Sequence, residues 1–365
     1  MLSLYLLNKQ ETQKWWLPFS QFSWTTTLNL GESGQISVPY VLLREVAKNN
    51  QQTVRQLLFD NWRKIIIYDE VKETILFKGV LTSANLNGDQ NDVSLDLSFA
   101  DASSLLSKRL TGVSQNYTDV NLMTVAEDLL TQAQAGADLG LTMGEVSQTA
   151  VTVTRAFKNA RVLDALVGLS ANKIANGFDW QFNANWQLNL AYPRLGSDQP
   201  GIIFDEQNIL SFQSRLGLLG NLVNQVRIKG KGNNASYTFA DQNAITAWGK
   251  QESYLSATDL TTEASLAERA ATYLAENAFP LSNNQITLSV LGNAPDWQSY
   301  EVGDRVRLRL RELDLDQMLR LSKRTLTYKD GTCLLDLTLN PQQASEDFLQ
   351  DYREILRRLE RLENN

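Results

Sequence analysis

Several stretches of the chain alternate apolar and polar residues with a period of two, the mark of strands with one buried and one solvated face. In RVRLRLR, 305–311, Val306, Leu308 and Leu310 share one face and Arg305, Arg307, Arg309 and Arg311 the other. VSLDLSF, 93–99, places Val93, Leu95, Leu97 and Phe99 together, and ITLSV, 286–290, repeats the pattern. Asn87-Gly88 and Asp330-Gly331 read as hairpin turns, because glycine supplies the positive φ such turns need. A further hairpin is predicted between 178 and 192, with Trp180, Phe182, Trp186, Leu188, Leu190 and Tyr192 as its apolar side. Helical spacing appears at Leu122, Val125, Ala126, Leu129, Leu130 and Ala133, with Asp119 or Asn121 as the cap. Val162, Leu163, Leu166 and Leu169 predict a second helix. Leu266, Ala270, Tyr273 and Leu274 predict a third, stopped before Pro280, and 40–58 reads as partly helical.

The fold class that follows is mainly β with α/β insertions. Residues 1–105 form a first β-barrel domain, completed by 205–235. Residues 106–204 are an inserted α/β domain, 236–282 a helical insert, 283–341 a second β-barrel domain and 342–365 a C-terminal helix. The two β-rich ends look alike. KIIIYDEVKETILFKGVLTSANLNGDQNDVSLDLSF, 64–99, and RVRLRLRELDLDQMLRLSKRTLTYKDGTCLLDLTL, 305–339, each give a strand, an acidic turn, a longer strand, a turn and a closing strand. Leu95, Asp96 and Leu97 align with Leu335, Asp336 and Leu337, and the loop before them counts as three residues shorter in the second copy. Period two makes any two amphipathic hairpins similar, so chance stands beside duplication as the explanation. With duplication, three chains would make a ring of six similar units.

After Pro341, Phe348, Tyr352, Ile355, Leu359 and Leu362 step along an a/d seam of about two heptads. Ser345 is its candidate N-cap, with Glu346 and Asp347 in the first turn, where the helix dipole favours acids. The helix either packs on its own domain or associates with copies of itself, making these five residues a candidate oligomer interface.

Composition narrows the chemistry. The 365 residues carry a net charge of −7, which disfavours a dedicated nucleic-acid binder. Cys333 is the single cysteine, which rules out an intrachain disulfide and fits a reducing compartment. There is no histidine, which removes Ser-His-Asp and Cys-His mechanisms and, with one cysteine, the usual zinc sites. No apolar run reaches the ~18 residues that span a bilayer, and MLSLYLLNKQ reads as a first strand and not a leader. Gly230-Lys231-Gly232 lacks the context of a phosphate loop. Asp304, Glu312, Asp314 and Asp316 lack the pattern of a calcium loop and read as turn charges. Trp15, Trp16, Trp24, Trp180 and Trp186 read as core more readily than as a sugar platform. No carboxylate pair stands out as catalytic. The expectation is a non-enzyme with no cofactor and no metal.

Together YEVGDRVRLRL (300–310), KRTLTYKDGTCLLDLTLNP (323–341) and IIIYDEVKETILFKGVL (65–81) resemble the baseplate-hub or tail-tip proteins of tailed bacteriophages. LSFADASSLLSKRL (97–110) and NQVRIKGKG (224–232) add to the likeness. The resemblance implies two tail-tube-like barrels and a homotrimer of pseudo-sixfold symmetry at the distal end of the virion tail, assembled in the host cytoplasm. It implies tail-tube or distal tail proteins, a tape-measure protein and tip or fibre proteins as partners, with no membrane anchor. DNA would pass through without being specifically bound. The chain stops after a short helix where many relatives carry enzymatic or receptor-binding parts, which argues against those roles. A virion adhesin or a carboxylate-dependent cell-wall hydrolase are the alternatives. The face of Arg305, Arg307, Arg309 and Arg311 is expected to pair with acids of a neighbouring domain or subunit, such as Glu312, Asp314 and Asp316 of another copy, and not to line a channel.

Overall fold

The computed structural model describes residues 2–59, 64–88, 93–135, 138–170, 178–216, 222–230, 236–257, 263–277, 282–311 and 315–340. The N-terminal part holds β1 (Leu2–Leu7), β2 (Lys14–Trp16), β3 (Gln21–Thr27), β4 (Gly31–Pro39), α1 (Tyr40–Asn49), α2 (Val54–Phe59), β5 (Lys64–Asp69), β6 (Thr74–Gly88) and β7 (Val93–Ala100). An insertion follows with α3 (Ser103–Leu106), β8 (Gln115–Asn121), α4 (Leu122–Gln134), β9 (Thr142–Val146), β10 (Thr152–Phe157), α5 (Val162–Ser170), β11 (Asp179–Phe182) and β12 (Gln187–Ala191). Then come β13 (Asp198–Phe204) and β14 (Ile209–Leu216), and a second insertion of β15 (Gln225–Gly230), β16 (Ser236–Ala240), α6 (Gln242–Trp248), β17 (Glu252–Ala257) and α7 (Glu263–Asn277). The chain returns through β18 (Ser282–Ser289), β19 (Arg305–Leu310), β20 (Leu315–Lys329) and β21 (Thr332–Asn340).

One 13-stranded sheet contains both β-rich ends. Its first half runs β3-β4-β7-β6-β5-β1-β2, and its second half runs β14-β18-β21-β20-β19-β13. The halves match residue for residue. Leu86 lies opposite Leu95 and Leu326 opposite Leu335, a constant shift of 240 (95 to 335) that also carries Leu81–Phe99 onto Leu321–Leu339. Both 15-residue strands bulge at the same place, between Leu81 and Ser83 and between Leu321 and Lys323. A bulge bends its strand and sharpens the local twist. The match continues outwards: Phe22–Ile36–Leu97 corresponds to Phe212–Ile286–Leu337. Period two alone does not impose a shared register over four strands, a shared bulge and a shared strand order. The halves differ at β1, antiparallel to β5, and β13, parallel to β19.

Two segments and one turn differ from those read in the sequence. The segment 205–235 does not complete the first half: β14 pairs with β18, and β15 joins β16 and β17 in a separate three-stranded sheet. The alternation in these strands was legible, but partners distant in sequence are not. Residues 236–282 are not purely helical, because β16 and β17 flank α6 and, with α7, close a small α/β unit on Val226, Ile228, Ala244, Leu266 and Ala270. The two hairpins have equal length. Gly88 still pairs with Val93, so Asn87-Gly88 belongs to the strand, whereas Asp330 and Gly331 both take positive φ in the turn.

The first insertion packs α4, α5 and the β11–β12 hairpin around their own core, with Trp180, Trp186, Leu129 and Leu166 buried. Asn121 caps α4 by accepting the Met123 N–H at 2.9 Å. The main core joins both halves: Leu4, Trp24, Ile36, Leu97 and Phe99 pack in one cluster with Phe204, Ile286, Val306, Leu326 and Leu337. Phe99 sits 5.1 Å from the Phe77 ring and over Gly34, where a Cβ would come within 2.3 Å of Phe99 and 2.2 Å of the Ser23 carbonyl. Phe99→Ala should therefore cost about 3–5 kcal/mol in denaturant unfolding, and Gly34→Val should also destabilise because the ring has nowhere to go.

Candidate functional site

The site of interest is the place where the two halves and the first insertion meet. β3 pairs antiparallel with the second part of β20, from Lys323–Thr27 to Lys329–Gln21, and joins the two halves into one sheet. Side chains alternate across this seam, so Phe22, Trp24 and Thr26 face inward with Arg324 and Leu326. Arg324 is thus a cation at an apolar position of its strand. It donates to the carbonyls of Tyr300 at 2.9 Å and Trp297 at 3.1 Å. Its guanidinium lies 5.7 Å from the Trp24 ring centroid and 5.5 Å from that of Trp297, within cation–π range.

Glu32 occupies the matching inward position on β4, on the parity of Ile36 and Val38. The Trp24 Nε1–H donates to it at 3.2 Å and Thr26 Oγ1 at 3.2 Å. Asp101, buried behind it, accepts the Glu32 N–H at 3.0 Å and the Ser103 N–H at 3.0 Å. Burial, with the Asp101 charge as a second cause and Arg324 opposing, pushes the Glu32 carboxyl up to about 8. Burial likewise pushes Asp101 up to about 6, against the hydrogen bonds from Ser103 and the Glu32 backbone. These groups line a cavity of about 300 Å³ together with Lys78, Gln181, Asn189 and Glu301.

The insertion docks on this end through polar contacts. Asn29, in the left-handed region at φ 58°, donates to Asp179 at 2.8 Å and accepts the Trp180 N–H at 2.8 Å. Asp179 also accepts the Leu195 N–H at 2.7 Å and pairs with Arg320 of β20. One carboxylate therefore ties the first half, the insertion and the second half together. On the other flank, Trp186 donates to the Lys78 carbonyl at 2.8 Å and lies under the Lys64 ammonium at 4.3 Å.

Three arginines of the β19 face, Arg305, Arg307 and Arg309, have acidic partners within the chain. Arg307 binds Asp316 through two nitrogens at 2.5 and 2.7 Å, Arg309 reaches Asp316 at 3.4 Å, and Arg305 pairs with Asp198 at 3.2 Å. The hairpin register places Asp316 directly opposite Arg309 and diagonal to Arg307, so one carboxylate serves both. The hydrogen bond from Arg307 holds the Asp316 carboxyl below its usual range. Arg311 offers its backbone N–H to Glu206. Glu312 and Asp314 lie outside the described residues, as do Phe348, Tyr352, Ile355, Leu359 and Leu362. Trp15, Trp24, Trp180 and Trp186 are buried; Trp16 is exposed. Among the described residues, no three His, Cys, Asp or Glu side chains are grouped to hold a metal ion, and no helix is long and apolar enough to cross a membrane. Sequence reasoning missed Asn29, Glu32, Asp101, Asp179, Arg320 and Arg324. The signal for Glu32 and Arg324 was present: each is a charge on the apolar parity of an alternating strand.

The YQBQ-like family profile matches residues 46–340, most of the chain. The chain belongs to the YQBQ-like family. No curated protein matches it in sequence. Among solved structures, this YQBQ-like protein is similar to the 43 kDa tail protein of prophage MuSo2 from Shewanella oneidensis, with a TM-score of 0.66 and 10% identity over 93% of this chain and 98% of that one. A tail protein from Neisseria meningitidis MC58 follows at TM-score 0.63, with 13% identity over 93% and 97% of the two chains. The E. coli c3393 protein, a type VI secretion component with structural similarity to the T4 phage tail proteins gp27 and gp5, matches at TM-score 0.51 and 10% identity, over 95% of this chain and 77% of its own. The YQBQ-like chain therefore has the fold of phage tail proteins, the mainly β fold that the sequence implied.

Two expectations follow from the junction. Asp179→Ala leaves the Arg320 cation enclosed without its carboxylate, so it should cost about 3–5 kcal/mol in urea unfolding; Asp179→Ala with Arg320→Met should cost less than the single change. Glu32 and Asp101 bind protons more tightly folded than unfolded, from ordinary values of 4.5 and 3.8 up to about 8 and 6. Folding stability should fall as pH rises through this window. The thermal midpoint should drop between pH 5 and pH 8, and Glu32→Gln should flatten the part above pH 6; an unchanged slope in that variant would remove Glu32 as the cause.

Proposed function

We propose that this chain is a structural, non-catalytic hub of a tail tip. Three copies form a ring of pseudo-sixfold symmetry that closes or extends the tail tube at its distal end. The observation that carries this is the residue-for-residue match of the two sheet halves. A chain with two equivalent units meets a sixfold partner with three copies, so a threefold object can cap a sixfold tube. The fold shared with phage tail proteins and with c3393 supports the setting. The non-enzymatic reading rests on the absence of histidine and on the use of the buried carboxylates in packing contacts.

The partners that go with this reading are copies of the chain, the tail-tube or distal tail proteins, a tape-measure protein and tip or fibre proteins. DNA would cross the ring without being gripped. The pairing of Arg305, Arg307 and Arg309 with Asp198 and Asp316 supports that, since a paired cation has less to gain from phosphate. Light scattering of the purified chain should give three times the single-chain mass. A monomer or a dimer at all accessible concentrations would contradict the ring, and salt-sensitive DNA binding lost on changing the three arginines to Gln would contradict the passive conduit.

A further inference from the structure

The second insertion has one covered sheet face and one open one. Its strands run β16-β15-β17, antiparallel on one side of β15 and parallel on the other. Val226 and Ile228 point into a core with Ala244, Leu266 and Ala270, and Tyr237, Phe239 and Leu255 pack on the same side. The alternate residues point the other way. Register groups them: Arg227 lies between Thr238 and Tyr254, and Lys229 between Ser236 and Ser256. All six are exposed, Tyr254 by 56%. With about 4.8 Å between strands and about 7 Å between alternate residues, the two rows form a patch of about 10 by 7 Å.

The free charge on this patch is of one sign. Neither Arg227 nor Lys229 has an acidic partner among the described residues, unlike Arg305, Arg307 and Arg309. Among the described residues of this face the one acid is Glu252, in the row of Gln225. It is already held, by Lys250 at 3.0 Å and by Gln225 at 2.7 Å. In a chain of net charge −7, two unpaired cations beside an exposed aromatic ring make a local attractor for anions.

We propose that this face binds a phosphate-bearing glycan. Arg227 and Lys229 take the phosphate, the guanidinium through two parallel N–H donors. The Tyr254 ring receives the C–H face of a sugar, whose weakly positive hydrogens suit the negative face of the ring. Ser236, Thr238 and Ser256 offer hydroxyls that both donate and accept, as sugar hydroxyls do. A nucleic-acid strand fits less well. Single-strand binders stack successive bases on several aromatic rings along a basic groove. Here Tyr254 is the one aromatic of the face among the described residues, since Tyr237 and Phe239 turn to the core. The site does not rest on the ring proposed above.

Titration calorimetry of the full-length chain with phosphomannan tests this, with phosphate-free mannan and an oligothymidylate as comparison ligands. The parent should bind phosphomannan more tightly than either. Arg227→Gln, Lys229→Gln and Tyr254→Ala should each weaken that binding about tenfold, and Lys229→Arg should keep it. Lys48→Gln, which removes an exposed cation from α1, should leave it unchanged. All these side chains are exposed, so circular dichroism and light scattering should match the parent in every variant. No binding of phosphomannan, or equal or tighter binding of either comparison ligand, overturns the proposal. So does a loss on Lys48→Gln as large as that on Arg227→Gln, which would mark general charge attraction and not a site.

Discussion

The antiparallel ladder between β3 and β20 is the constraint on which the rest of the molecule depends. It turns two similar sheet halves, far apart in sequence, into one hydrogen-bonded surface over a shared core. It also sets parity. With Trp24 opposite Leu326 and Thr26 opposite Arg324, every inward residue of the seam is decided, and a slip of one position would turn Arg324 to solvent and Lys323 into the core. The bulge at Leu321–Lys323 falls where β20 stops pairing with β19 and starts pairing with β3, so the bend lies between its two partners.

Setting that parity places charge in the interior. Enclosing a guanidinium and two carboxylates carries a desolvation cost that only good partners offset. Here Arg324 has two carbonyls and two indole faces, Asp101 has backbone and serine donors, and Glu32 keeps its proton at neutral pH, so the three acquire partners without a full complement of buried charge. The same end of the sheet receives the insertion, through Asn29, Asp179 and Arg320. The polar groups therefore fix how the parts sit, while the apolar core supplies the general drive to fold.

Much of this was legible in the chain. The alternation in 305–311 marks β19, Asn121 caps the helix that begins at Leu122, and the paired motifs at 95–97 and 335–337 are equivalent positions of a duplicated sheet. What escaped depends on contacts between distant segments. Asp198–Phe204 shows no alternation, and its parallel, irregular pairing with β19 is invisible locally. QVRIKG alternates well, but nothing in six residues says which sheet it enters. The partners of the arginine stripe were legible only as acids of a neighbouring domain or subunit, because register, and not composition, places Asp316 across from Arg309. The inward charges at Glu32 and Arg324 broke the pattern of their strands, and such a break is the trace a polar junction leaves in a sequence.

In the proposed ring the two halves of the chain are equivalent units. Electron microscopy of the purified assembly, viewed end-on, is the decisive measurement. A closed ring of six similar lobes with threefold symmetry around a central opening is the expected image. A closed ring whose lobes number the same as its chains, or open strings of molecules with no ring, would contradict it.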